Sequence, residues 1–101
     1  MMVRIQEGMF ARSLAGHDKD RLYVIIRKDA EYVWLADGIR RTAEKPKKKK
    51  IRHIQVIHRY AESVKKSLEE KKPLQNQQIK QIIQSESQNW QEDKHVESRC
   101  N

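Results

Sequence analysis

Eight of the thirteen residues from Arg40 to Arg52 (RRTAEKPKKKKIR) are cationic and one, Glu44, is acidic, so a charge of +7 is concentrated in one short internal stretch. The chemistry open to such a stretch is electrostatic: it gathers a polyanion and speeds its arrival. Arg40, Arg41, Lys45, Lys47, Lys48, Lys49, Lys50 and Arg52 are the candidate phosphate contacts, and Arg12, Lys19 and Arg21 add a second basic group around Gly16. Lysine is a point charge on a flexible stem and supplies affinity, whereas arginine also bonds bidentately and stacks on bases. His17 can stack on or hydrogen-bond an unpaired base, or be a solvent-exposed turn residue; both readings are open. Tyr23, Tyr32 and Trp34 can form a stacking platform, but at strand spacing they are expected in the core, Trp34 above all, because large aromatics dominate small cores.

Other chemistries find less support. His53 and His58 stand five apart on a predicted strand, on opposite faces, with no Cys, Asp or Glu beside them to complete a metal set. His17, Asp18 and Lys19 look like acid/base material, yet three consecutive turn residues cannot surround a substrate. Cys100 is the single cysteine, without a second thiol for a disulfide or a zinc site. No enzyme activity, metal or cofactor is expected.

Rigid elements must hold these cations in place, and the first sixty residues read as strands. Gly8 opens Met9–Leu14, and Ala15–Asp20 makes a polar turn around Gly16. Arg21–Arg27 follows, with Leu22, Val24 and Ile26 on one face and Tyr23 and Ile25 on the other, a strand covered on both sides by a curved barrel or by an appendage. Lys28–Glu31 is a turn and Tyr32–Ala36 the third strand. Asp37-Gly38 predicts a two-residue primed turn, with Ile39-Arg40-Arg41 pairing back onto that strand. Pro46 makes Glu44–Lys50 a loop or an edge segment, read here as a loop presented by the scaffold. Arg52–His58 is the last predicted strand. Beyond it Tyr60, Val64 and Leu68 share a helical face that ends at Lys71-Lys72-Pro73. A second helix is predicted from about Leu74 to Gln84, with Leu74, Ile79, Ile82 and Ile83 as its stripe, and from Ser85 onward only Trp90 and Val96 are large and apolar.

At 101 residues, with 37% apolar residues and a net charge of +8, the chain has room for one small domain and an appendage. The excess charge is uneven. Residues 1–60 carry 15 Lys+Arg and 7 Asp+Glu, while residues 61–101 carry 7 of each. No run approaches the roughly 18 apolar residues of a membrane span, and the first residues lack a signal peptide's apolar stretch. A cytoplasmic protein with no membrane partner is expected.

The run from Glu7 to Ile26 (EGMFARSLAGHDKDRLYVII), followed by ADGIRR, EKPKKKK and Arg52-His53-Ile54, resembles the KOW motif of ribosomal proteins and transcription-elongation factors. Together the blocks resemble small bacterial KOW-domain RNA-binding proteins, related to KOW-bearing large-subunit ribosomal proteins of archaea and eukaryotes. Gly8 and Gly16 match the motif's glycines and Asp18-Lys19 its turn, whereas Asp20 stands where the family often has a second turn glycine. The resemblance implies a small SH3-like β-barrel over residues 1–60; helical spacing and composition add a helical extension over 61–84 and a flexible tail over 85–101, so a mainly β fold is expected. It also implies RNA binding without catalytic activity; a ribosome-associated protein that is a monomer outside its complex is expected. RNA, ribosomal RNA foremost, would be gripped by the basic loop with His53 and by the Gly16 turn. The alternative is a protein-interaction adaptor of the translation or transcription machinery with only nonspecific nucleic-acid affinity.

Overall fold

The computed structural model describes residues 5–14, 16 and 21–100, with side chains through residue 88. Five strands, Met9–Ser13 (β1), Leu22–Lys28 (β2), Tyr32–Ala36 (β3), Lys47–Lys50 (β4) and Ile54–Tyr60 (β5), precede two helices, Glu62–Glu69 (α1) and Asn76–Cys100 (α2), and a 3-10 turn, Ile51–His53, joins β4 to β5. The strands form one antiparallel sheet in the order β4-β3-β2-β1-β5. The chain is mainly β with a helical C-terminal part. The sheet is not closed: β4 and β5 are its edges, and among the described residues no ladder joins them.

β2 explains why both sides of the sheet are covered. Tyr23 and Ile25 point into an inner cluster with Met9, Ala11, Val33, Leu35 and Ile54. Val24 points the other way, into a second cluster with Phe10, Ala36, Ala61, Val64 and Ile79, bordered by Leu22, Ile26, Leu68, Leu74, Ile82 and Ile83. The apolar stripes of both helices therefore pack on the outer face of the sheet. Val24, Ile25, Val33, Leu35, Val64 and Ile79 are fully buried, each such side chain stabilising the fold by about 1.5–3 kcal/mol.

Two glycines seat the helices. Gly8 has φ +93°, and a Cβ there would meet the Lys65 Cβ of α1 at 2.9 Å; its amide donates to Ile25 and its carbonyl accepts from Ala61, both at 2.7 Å. Gly38 has φ +81°, and a Cβ there would lie 2.3 Å from the Asn76 carbonyl oxygen and 2.8 Å from the Lys80 nitrogen of α2. Only a residue without a side chain lets the helices approach so closely.

Several expectations change. The partner of β3 is β4, with Tyr32 opposite Lys50 and Leu35 opposite Lys47; Ile39–Arg41 does not pair back through a primed turn, because the Asp37 side chain captures the following amides instead. The lysine run is the edge strand itself and not a loop, its ladder starting one residue after Pro46, which has no amide to donate. Tyr60 ends β5 and is not the first residue of the helical face. His53 lies in the 3-10 turn before β5, where its carbonyl accepts from Leu14 at 3.0 Å. α2 starts at Asn76 and continues past Gln84 to Cys100.

Candidate nucleic-acid interface

The sheet and its connections bring six of the sequence-predicted residues together from separate stretches of chain. Gly16, Arg21, Arg40, Arg41, Lys47 and Lys49, with Tyr23, line a cleft of about 350 Å3. Gly16 and Arg21 come from the β1–β2 connection, Arg40 and Arg41 from the β3–β4 connection, and Lys47 and Lys49 from the edge strand. Strand alternation accounts for the last pair: Lys47 and Lys49 are opposite Leu35 and Val33, whose side chains belong to the inner cluster, so these two lysines share that face. Lys49 reaches across it, its Nζ donating to the buried Ser13 Oγ at 2.6 Å. Among the described residues, the lining carries five cations and no carboxylate.

Asp37 orders the two arginines. Its Oδ1 accepts from the amides of Ile39, Arg40 and Arg41, each at 2.9 Å, and the Arg41 carbonyl accepts from the amides of Asp37 and Gly38. Such an Asx arrangement satisfies the backbone locally and leaves Ile39, Arg40 and Arg41 exposed, Ile39 at 63%. The second half of the connection is held from α2: the Asn76 Oδ1 accepts from the Ala43 amide at 2.8 Å and its Nδ2 donates to Glu44 Oε1 at 3.0 Å. The Asn76 side chain, the Glu44 amide and the Thr42 hydroxyl all favour the ionised form, so the Glu44 carboxyl titrates below its ordinary range. The one acid in the basic stretch thus fastens its loop to the C-terminal helix.

The remaining predicted residues lie elsewhere. Arg12 is on the outer face of β1, opposite Leu22 and Gln55, and its guanidinium donates to Gln55 Oε1. Lys45 is exposed in the connection, its amide donating to Thr42. Arg52 and His53 are exposed on the 3-10 turn. Lys48 and Lys50 lie opposite Trp34 and Tyr32, on the face away from the cleft. His17 and Lys19 fall outside the described residues.

Trp34 corrects the expectation of a core residue. It is half-buried, belongs to neither apolar cluster, and shares the outer face with Tyr32. The Lys48 Nζ lies 4.4 Å from the Tyr32 ring centre and 5.5 Å from that of Trp34, and the Arg27 guanidinium carbon lies 4.8 Å from Trp34. Arg27 gets there through an irregularity in β2: Ile25 pairs with Leu35 but Arg27 with Trp34, so the extra residue Ile26 shifts the phase and turns Arg27 outward. Asp29 opens the preceding turn, its Oδ1 accepting from Glu31 at 2.9 Å and Tyr32 at 2.7 Å. The Tyr32 amide, then the Glu31 amide, then the charges of Lys48 and Arg27 hold its carboxyl below the usual range.

Sequence reasoning missed Arg27, Asp37 and Asn76. For Asp37 a signal was present, since an Asp followed by three residues with free amides is as much an Asx motif as a hairpin turn. For Arg27 and Asn76 there was none, because a bulge and a contact 33 residues away leave no local pattern. Among the described residues no helix is long and apolar enough to cross a membrane. The chain matches no protein-family model and no curated protein.

Proposed function

We propose that this chain is a noncatalytic RNA-binding protein, associated with the ribosome or its RNA, that uses a KOW-type SH3-like scaffold to present a cationic cleft. The observation that carries this reading is the cleft: five cations from two connections and an edge strand line one concavity, and the residues that order it, Asp37 and Asn76, bond the backbone and leave Arg40 and Arg41 exposed. The antiparallel order with a 3-10 turn before the last strand is compatible with that scaffold type. RNA phosphates fit the site better than a small anion, because the cations do not close around one point: exposed Arg40 and Arg41 continue along the β3–β4 connection to exposed Lys45. Lysine contacts of this kind bring affinity, and Arg21, Arg40 and Arg41 are the cleft residues able to bond or stack on a base.

Binding of a labelled ribosomal-RNA fragment, followed by fluorescence anisotropy across a salt series with duplex DNA as competitor, tests the reading. Five phosphate contacts give a log-log salt slope of about −3.5 for a single strand. The double variant Arg40→Ala/Arg41→Ala, changed at exposed positions, is expected to weaken binding by at least about tenfold and to flatten the slope by about 1.4. If its affinity stays within about twofold of the parent, the cleft is not the RNA site. Should the protein co-sediment with ribosomes while both RNA affinity and this variant's effect are absent, the adaptor reading replaces it.

A further inference from the structure

The edge strand β4 has cations on both of its faces. Lys47 and Lys49 serve the cleft, whereas Lys48 and Lys50 stand on the opposite face beside Trp34 and Tyr32, joined there by Arg27 across β3. β4 is an edge strand of the sheet, so only the width of one strand separates the two groups. The bland account is that lysines on an edge strand deter pairing with other strands. That account needs charge but has no use for rings under the charges.

Arg27 and Lys48 are exposed, yet their charged ends rest 4.8 and 4.4 Å from the ring centres of Trp34 and Tyr32. The rings are half-buried and outside both clusters, so they act as a rigid shelf and contribute little to the core. A long cationic side chain ordinarily loses rotamer freedom when it engages a phosphate. One already laid across an aromatic face has lost part of it in advance, and its outward N–H groups remain available to an anion. Asp29 is an opposing charge that Arg27 and Lys48 both feel; the amides of Glu31 and Tyr32 fix its carboxylate in the turn, and three cations outnumber it.

We propose that Arg27, Lys48 and Lys50, set by the Tyr32–Trp34 shelf, form a second phosphate-binding surface, so that one RNA strand lying in the cleft passes around the β4 edge and is held on both sides of it. The proposal rests on the RNA-binding reading of the cleft and extends it to a longer footprint on the strand. It also assigns Trp34 and Tyr32 the role of positioning residues: they orient cations that touch RNA.

A distinctive consequence is that removing a ring, with no change in charge, weakens binding. The full chain is titrated with an unstructured labelled RNA 20-mer across a salt series, and each variant's fold is checked by circular dichroism and thermal melting. Trp34→Leu is expected to lower affinity roughly three- to tenfold, and Trp34→Phe, which keeps a ring, to restore most of it. Arg27→Gln/Lys48→Gln leaves the shelf in place and is expected to flatten the salt slope by about 1.4; it decides the matter if Trp34→Leu does not fold. If Arg27→Gln/Lys48→Gln binds within about twofold of the parent with an unchanged slope while Arg40→Ala/Arg41→Ala loses binding, the second surface is wrong and the cleft stands. If neither double variant weakens binding, the cleft reading fails and this proposal fails with it.

Discussion

At the scale of single residues, the carboxylates of the basic half act as fasteners. Asp37 folds the β3–β4 connection, Asp29 closes the turn before β3, and Glu44 ties the connection to Asn76. Asp29 and Glu44 are both held below their ordinary values of 3.8 and 4.5 by hydrogen bonds to their ionised forms. The sign follows directly. Their contribution to stability is fully present above those values and is lost as pH falls through the lower folded-state values, where the native carboxylates take up protons. Thermal melts between about pH 7 and pH 2.5 are therefore expected to show a smaller acid-side loss for Glu44→Gln, which keeps an acceptor for Asn76 but cannot titrate. Parallel curves for the variant and its parent would mean that Glu44 bears no such load.

Among the elements, α2 does more than cover the outer cluster. Its first turn sits on Gly38, and its first side chain bonds the loop that carries Arg40 and Arg41, so docking the helix and shaping the cleft are one structural event. Gly38→Ala is expected to break both. A Cβ at positive φ, 2.3 Å from a backbone oxygen, cannot be absorbed by a side-chain shift, so the cost is about 2–3 kcal/mol. For a chain of this length that is a fall in Tm on the order of 10 °C. An unchanged melting temperature would show that the helix does not seat there. The Asp-Gly pair was legible as a special backbone site from the sequence, and so was the apolar stripe of Ile79, Ile82 and Ile83. That the two meet was not, because their contact joins positions far apart in the chain and follows only from closing the outer cluster.

For the molecule as a whole, the two clusters divide the stability. The inner one belongs to the strands; the outer one exists only when α1 and α2 cover Phe10, Val24 and Ala36. Deleting residues 75–101 is expected to abolish cooperative unfolding, since it uncovers that face and removes Ile79, whose loss even to Ala costs about 2–5 kcal/mol. Deleting residues 90–101 is expected to leave both the melt and the RNA affinity near those of the parent, because it spares Asn76, Ile79 and the 3.4 Å ion pair between Arg59 and buried Glu86. Chemical denaturation of the two truncations checks this; a noncooperative melt for the shorter deletion would place essential packing beyond residue 89.

By itself the sequence determined four of the five strands (β1, β2, β3 and β5), the two-sided burial of β2, the helical stripes and the excess of cations on the first sixty residues. These follow from alternation, spacing and composition, which are local properties of the chain. Tertiary structure decided where the cations point. Register against Val33 and Leu35 sent Lys47 and Lys49 to the inner face, the phase shift at Ile26 turned Arg27 outward onto Trp34, and a contact from α2 shaped the loop that bears Arg40 and Arg41. Each depends on which strand or helix lies alongside, and a one-residue change in pairing moves a side chain to the opposite face of the sheet.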